Sequence, residues 1–100
     1  MTIQEDSPIF QFERHSQFMR IIFILDEKGG LNFQKFIDDY SISSTTLYRT
    51  IEALKNLKIV KSEIDNSTYP KRSIISLTER GKLVAHKLKE IDEILMGDFP

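Results

Sequence analysis

The chain contains no cysteine. That absence removes thiol nucleophiles, disulfide scaffolding, thiol redox sensing and every cysteine-based zinc site. Histidine is nearly as scarce: His15 and His86 fall on different expected helices, with no second ligand at metal-binding spacing. Glycine is too sparse for a phosphate cradle, since Gly29-Gly30 is followed by neither further glycines nor a Lys-Ser/Thr pair. Asp38-Asp39 and Asp92-Glu93 are adjacent pairs, which on a helix point in different directions and do not converge on one site. No Ser-His-Asp pattern is present either. The expectation is a protein that is not an enzyme, with no catalytic residues, no cofactor and no metal.

Long apolar runs are also lacking. The longest, Met19 to Leu25, is interrupted by Arg20 and falls short of the ~20 residues a membrane span needs. The opening Met-Thr-Ile-Gln-Glu-Asp has neither the basic patch nor the apolar core of a signal peptide. Asn66-Ser67-Thr68 fits the glycosylation pattern but reads as a turn without such a signal. These features predict a cytoplasmic protein with no membrane partner.

Neither sign of charge dominates. Fourteen basic and fifteen acidic residues give a net charge of −1, and 29% charged with 40% hydrophobic residues describes one ordinary folded domain. The charge is unevenly spread. Residues 1–48 hold four basic and seven acidic side chains, a balance of −3, and residues 73–100 hold four and five, a balance of −1. Residues 49–72 hold six basic (Arg49, Lys55, Lys58, Lys61, Lys71, Arg72) and three acidic (Glu52, Glu63, Asp65), a balance of +3. A local positive patch in an otherwise acidic chain is what a confined phosphate footprint requires.

The chain divides into three stretches. Residues 1–12 are polar apart from Ile9, Phe10 and Phe12 and read as an extended arm whose apolar residues dock on something, a partner subunit included. Residues 13–77 form the main domain. Phe18, Ile21, Ile22 and Leu25 recur at helical spacing and predict a helix over 13–28, ended by Gly29-Gly30. Leu31 reads as a short strand, and Asn32 as the N-cap of a helix over 33–40 bearing Phe33, Phe36, Ile37 and Tyr40 on one face. Ser41-Ile42-Ser43 is a turn in which Ser43 caps a third helix over 44–57, with Leu47, Ile51 and Leu54 inward. Strands over 59–64 and 73–77 flank the turn formers at 65–70, making a hairpin. Residues 78–100 form the last stretch: Thr78 caps a long helix reaching about Met96, on which Val84, Leu88, Ile91 and Leu95 form a seam. The fold class expected is α+β, mostly α: a three-helix core, a two-stranded β-hairpin and a long C-terminal helix.

Two segments carry a family resemblance. Residues 42–54, Ile-Ser-Ser-Thr-Thr-Leu-Tyr-Arg-Thr-Ile-Glu-Ala-Leu, resemble the turn and recognition helix of helix-turn-helix proteins. Residues 69–81, Tyr-Pro-Lys-Arg-Ser-Ile-Ile-Ser-Leu-Thr-Glu-Arg-Gly, resemble the second wing strand and following helix start of MarR-like regulators, with small archaeal, viral and PadR-like winged helices similarly close. The resemblance spans about 14–96 and departs from the MarR-like pattern at Pro70, where the family commonly has an Asp two positions before its key Arg. It implies a winged helix-turn-helix regulator of transcription that binds double-stranded DNA as a homodimer; it implies no particular small-molecule effector.

The residues expected at DNA follow from helix geometry. With Leu47, Ile51 and Leu54 inward, Ser44, Thr45, Tyr48, Arg49 and Glu52 face outward, and Ser43 sits at the helix start. N-terminal turns of a groove-inserted helix reach base edges, and the fork of Arg49 matches the two acceptors on guanine. Lys71 and Arg72, with Lys61 on the facing strand, are expected at the adjacent minor groove or its phosphates. Val84, Leu88, Ile91 and Leu95 are the expected dimer surface. A different reading makes this a winged-helix protein–protein interaction module without DNA binding, to which the net negative charge and mixed-sign wing are suited.

Overall fold

A computed structural model of the chain describes residues 2–67 and 69–97. Met1, Thr68 and residues 98–100 lie outside the described residues, as therefore do one end of the expected arm, part of the Asn66-Ser67-Thr68 turn and the last three residues of the stretch expected over 78–100.

The N-terminal stretch is helical where an extended arm was expected. Pro8–Phe10 form a 3-10 turn and α1 spans Gln11–Arg14. Pro8 occupies a first-turn position, where its fixed φ suits a helix and its missing N–H costs nothing. Phe12 then docks within the same chain, its ring edge-on to Phe18 at 4.7 Å between centroids. The single helix expected over 13–28 is broken: His15–Gln17 separate α1 from α2 (Phe18–Lys28), and Gln17 takes a left-handed φ of 70°. The break has a tertiary cause that local periodicity does not carry. The buried Thr50 hydroxyl donates to the Ser16 carbonyl, 3.1 Å away, and so fixes the junction against a helix met later in the chain.

Gly29, at φ 85°, ends α2, and β1 (Gly30–Asn32) leads into α3 (Phe33–Tyr40). Asn32 caps α3 by accepting the Lys35 N–H at 2.9 Å, and Ser43 caps α4 (Ser44–Asn56) by accepting that of Thr46 at 3.3 Å. Between them Ser41 turns the chain with a left-handed φ of 56°, and buried Ile42 pins the turn to the core. Phe18, Ile21, Ile22, Leu25, Phe36 and Leu47 are the heart of that core.

β2 (Val60–Asp65) and β3 (Arg72–Leu77) form the expected hairpin, and β1 joins it to make a three-stranded antiparallel sheet in the order β1-β3-β2. Strand alternation buries Val60, Ile75 and Leu77 on one face and puts Lys61, Glu63 and Arg72 on the other. The hairpin outruns the core: Ile64 belongs to the inward set yet is exposed.

α5 (Glu79–Met96) starts as a latch on the segment that leaves α4. Thr78 Oγ1 accepts the Gly81 N–H at 3.0 Å and donates to the Lys58 carbonyl at 2.5 Å. Arg80 donates to the Leu57 carbonyl at 3.0 Å, and Gly81 lies so close to Ile59 that a Cβ there would stand 2.1 Å from its carbonyl oxygen. The Leu-Thr-Glu-Arg-Gly motif therefore has a mechanical content: it clamps α5 to the end of α4. Further along, Lys89 pairs with Asp26 of α2. Among the described residues no helix is long and apolar enough to cross a membrane.

Candidate nucleic-acid interface

The buried side of α4 consists of Leu47, Thr50, Ile51 and Leu54. At 100° per residue, the diametrically opposite stripe is Thr45, Arg49, Glu52 and Asn56, and all four are exposed. Ser43 and Ser44 lie exposed at its N-terminal end. Asn56 is not among the residues expected from sequence, although its spacing from Arg49 and Glu52, seven and four residues, places it on the same stripe.

Each flank of α4 opens onto a cleft. On one side Arg49, Glu52 and Asn56 share a cleft of about 390 Å³ with Gln11 and His15 of the N-terminal segment. His15 stacks on Phe18 and its Nε2 lies 3.1 Å from Gln11 Oε1. On the other side Tyr48, two-thirds exposed at 67%, packs on Phe33 at 4.5 Å between ring centroids. That pair shares a cleft of about 400 Å³ with Asn32, Gln34, Arg72 and Ser73, which joins α4 to the base of the hairpin.

Lys71 and Arg72 stand together where β3 begins, and Arg72 reaches the same surface as Tyr48. Lys61 is not brought to them. The register sets Lys61 opposite Ser76, four residues along β3 from Arg72, and its Nζ lies 3.1 Å from Glu63. The partner of Arg72 across the ladder is Asp65. The Ser67 hydroxyl and then the Ser67 backbone N–H, both donating to the Asp65 carboxylate, hold that carboxyl below its ordinary value. Asp65 is thus engaged with the turn. Among the described residues Arg49, Lys71 and Arg72 form no ion pair. Tyr69, wholly exposed at the wing tip beside Lys71, also escaped the sequence reading; an aromatic within a run of turn formers was its only signal.

The expected dimer seam splits in two. Val84 and Leu88, expected at the dimer surface, are half-buried against the chain's own core, so the N-terminal half of α5 covers an intramolecular surface. Ile91 and Leu95 are exposed, Leu95 at 78%. Two adjoining apolar hollows, of about 490 and 320 Å³, run along this side and share Ile9, Phe12, Leu88 and Ile91.

Comparison with known proteins bears on this arrangement. No curated protein sequence matches the chain. Among solved structures, the reduced form of the transcriptional regulator YodB from B. subtilis superposes with a TM-score of 0.76 at 22% identity, covering 92% of this chain and 89% of that one. A transcriptional regulator of the MarR family from Porphyromonas gingivalis W83 gives 0.74 at 20% identity, over 99% of both chains. ZitR from Lactococcus lactis, as the apo C30AH42A mutant, gives 0.72 at 22% identity, over 88% of this chain and 67% of that one. At these identities the likeness fixes the fold, the winged helix that such transcriptional regulators share. Residues 4–70, two-thirds of the chain, match the family model described as the Mga helix-turn-helix domain. With its capped turn, its exposed second helix and its wing all in the places that fold requires, the chain belongs to the Mga helix-turn-helix domain family.

Proposed function

We propose that this protein is a sequence-specific, double-stranded DNA-binding regulator of transcription that acts as a homodimer. α4 enters the major groove and the wing, residues 61–72, lies on the adjacent minor groove or its phosphates. The observation that carries this reading is the solvent face of α4: Thr45 and Arg49 stand exposed behind Ser43 and Ser44, and Arg49 has no ion-pair partner among the described residues; nor have Lys71 and Arg72 at the start of β3, where Arg72 shares a cleft with Tyr48 of the same helix as Arg49. Arg49 reads a guanine edge through its planar fork. Ser43, Ser44 and Thr45 allow close approach at the helix start, where backbone N–H groups add phosphate contacts. Lys71 and Arg72 supply phosphate neutralisation, while Lys61, committed to Glu63, contributes least.

Homodimerisation is supported by the apolar surface left on α5. Ile91, Ile94, Leu95 and Met96 are exposed in succession, with Ile9 and Met19 beside them, and continuous exposed apolar area of this kind marks an interface. A two-fold dimer would present its recognition helices to half-sites roughly one helical turn, ~34 Å, apart.

The test is selection of bound duplexes from a random pool, followed by fluorescence polarisation at rising salt. Recovery of a pseudo-palindromic site and a steep loss of affinity with salt are expected. The exposed Ile64 and Tyr69 on the wing favour the second reading, a protein–protein contact module. Absence of duplex binding even at low salt would decide for it.

A further inference from the structure

The cleft between α4 and the wing has a construction that the DNA-binding reading does not itself require. Tyr48 projects from α4 into solvent, yet its ring is braced by Phe33, the first residue of α3, at 4.5 Å between centroids and a 44° tilt. Such a contact lies within the range where aromatic pairs attract. Arg72 and Ser73 form the facing wall, and the space between the walls is about 400 Å³. One wall therefore offers a ring face and a phenol hydroxyl held in one place. The other offers a guanidinium with no ion pair among the described residues.

We propose that this cleft seats one sugar–phosphate strand of duplex DNA, and that Phe33 is a positioning residue that holds Tyr48 for it. The inference rests on the DNA-binding reading above. If α4 occupies the major groove and the wing the neighbouring minor groove, the strand dividing those grooves passes between them, over Tyr48 and Arg72. Arg72 neutralises the phosphate, the Tyr48 hydroxyl donates to a phosphate oxygen, and the ring face packs on the sugar. An exposed tyrosine free to turn would lose rotamer freedom on binding; bracing by Phe33 removes much of that cost before DNA arrives. Phe33 lines the same cleft, but offers neither a charge nor a hydrogen-bonding group to a phosphate. The role assigned to it runs through the Tyr48 ring, which gives the proposal a signature distinct from general packing.

The experiment measures affinity of the full chain for a fluorescein-labelled duplex taken from the selected pool, with thermal unfolding of each variant alongside. Binding by the wild type is established first, so failure of the DNA-binding reading is seen before any variant is compared. Phe33→Leu keeps apolar volume and stability but removes the brace. It is expected to weaken binding about threefold to tenfold, the effect of ordering one side chain. Phe33→Tyr, which retains a ring, is expected to bind like the wild type. In a Tyr48→Ala background, Phe33→Leu is expected to cost nothing more. Arg72→Ala lowers the slope of log affinity against log salt by about one, whereas Phe33→Leu leaves it unchanged. Wild-type affinity in Phe33→Leu, or an equal loss from it with and without the Tyr48 side chain, overturns the proposal.

Discussion

At the scale of single residues, roles separate by what each side chain already has as a partner. Among the described residues Arg49 has none with charge, and its position at the centre of the outward stripe of α4 predicts a specificity role. Arg49→Ala should flatten the preference for the selected duplex over a scrambled one by about tenfold to a hundredfold, the size of a lost bidentate base contact, as read by competition polarisation. Asp65 is spoken for by Ser67, and this has a pH consequence. Its carboxyl is held below the ordinary value in the folded chain, so the contribution to the turn is present above the unfolded pKa and lost as pH falls through the folded one. An NMR titration should find Asp65 ionising below 3.8, with Ser67→Ala moving the midpoint upward because the larger of the two causes is removed. Gly81 is fixed by space. With the Ile59 carbonyl oxygen 2.1 Å from where a Cβ would sit, Gly81→Ala forces α5 off the latch. Thermal melts should show a loss of about 3 kcal/mol or more.

Among the elements, the caps were legible and the breaks were not. Asn32, Ser43 and Thr78 announce the starts of α3, α4 and α5 because an N-cap bond is made three residues away in sequence. The order of elements, the inward triad of α4 and the hairpin follow from equally local patterns. The interruption at His15–Gln17 was hidden because its cause, Thr50, lies 34 residues downstream. The distance of Lys61 from Arg72 was hidden because ladder register depends on where the turn closes, and a run of turn formers does not say where. Likewise, the seam on α5 is regular in sequence, but only packing decides that Val84 and Leu88 face their own core while Leu95 does not. The Thr50 bond is itself testable. Thr50→Val preserves shape and removes the donor, and should lower stability by about 1 kcal/mol in urea unfolding, since Ser16 is exposed and water can reach its carbonyl.

On the scale of the whole molecule, the surface proposed to face DNA and the apolar surface of α5 use different residues, so they can be altered one at a time. Leu95→Glu with Ile91→Glu sets charge on the exposed half of α5 and leaves Val84 and Leu88 untouched. If two copies meet there, sedimentation should show a shift from dimer to monomer, with the melting profile of the isolated domain preserved and binding to a two-half-site duplex reduced far more than binding to a single half-site. The sheet order gives the molecule one more property. β3 is bonded on both sides, to β1 and to β2, whereas the far end of the hairpin runs out past the core. The wing is thus a cantilever whose root is built into the hub and on whose far part Ile64 and Tyr69 stand exposed. A one-residue slip at the root would turn Ile75 and Leu77 out to solvent, so the root is fixed. Changes of length or chemistry at the free end meet no such penalty. If the wing meets DNA as proposed, its reach and preference can therefore be retuned in its last few residues while the hub that aims it stays the same.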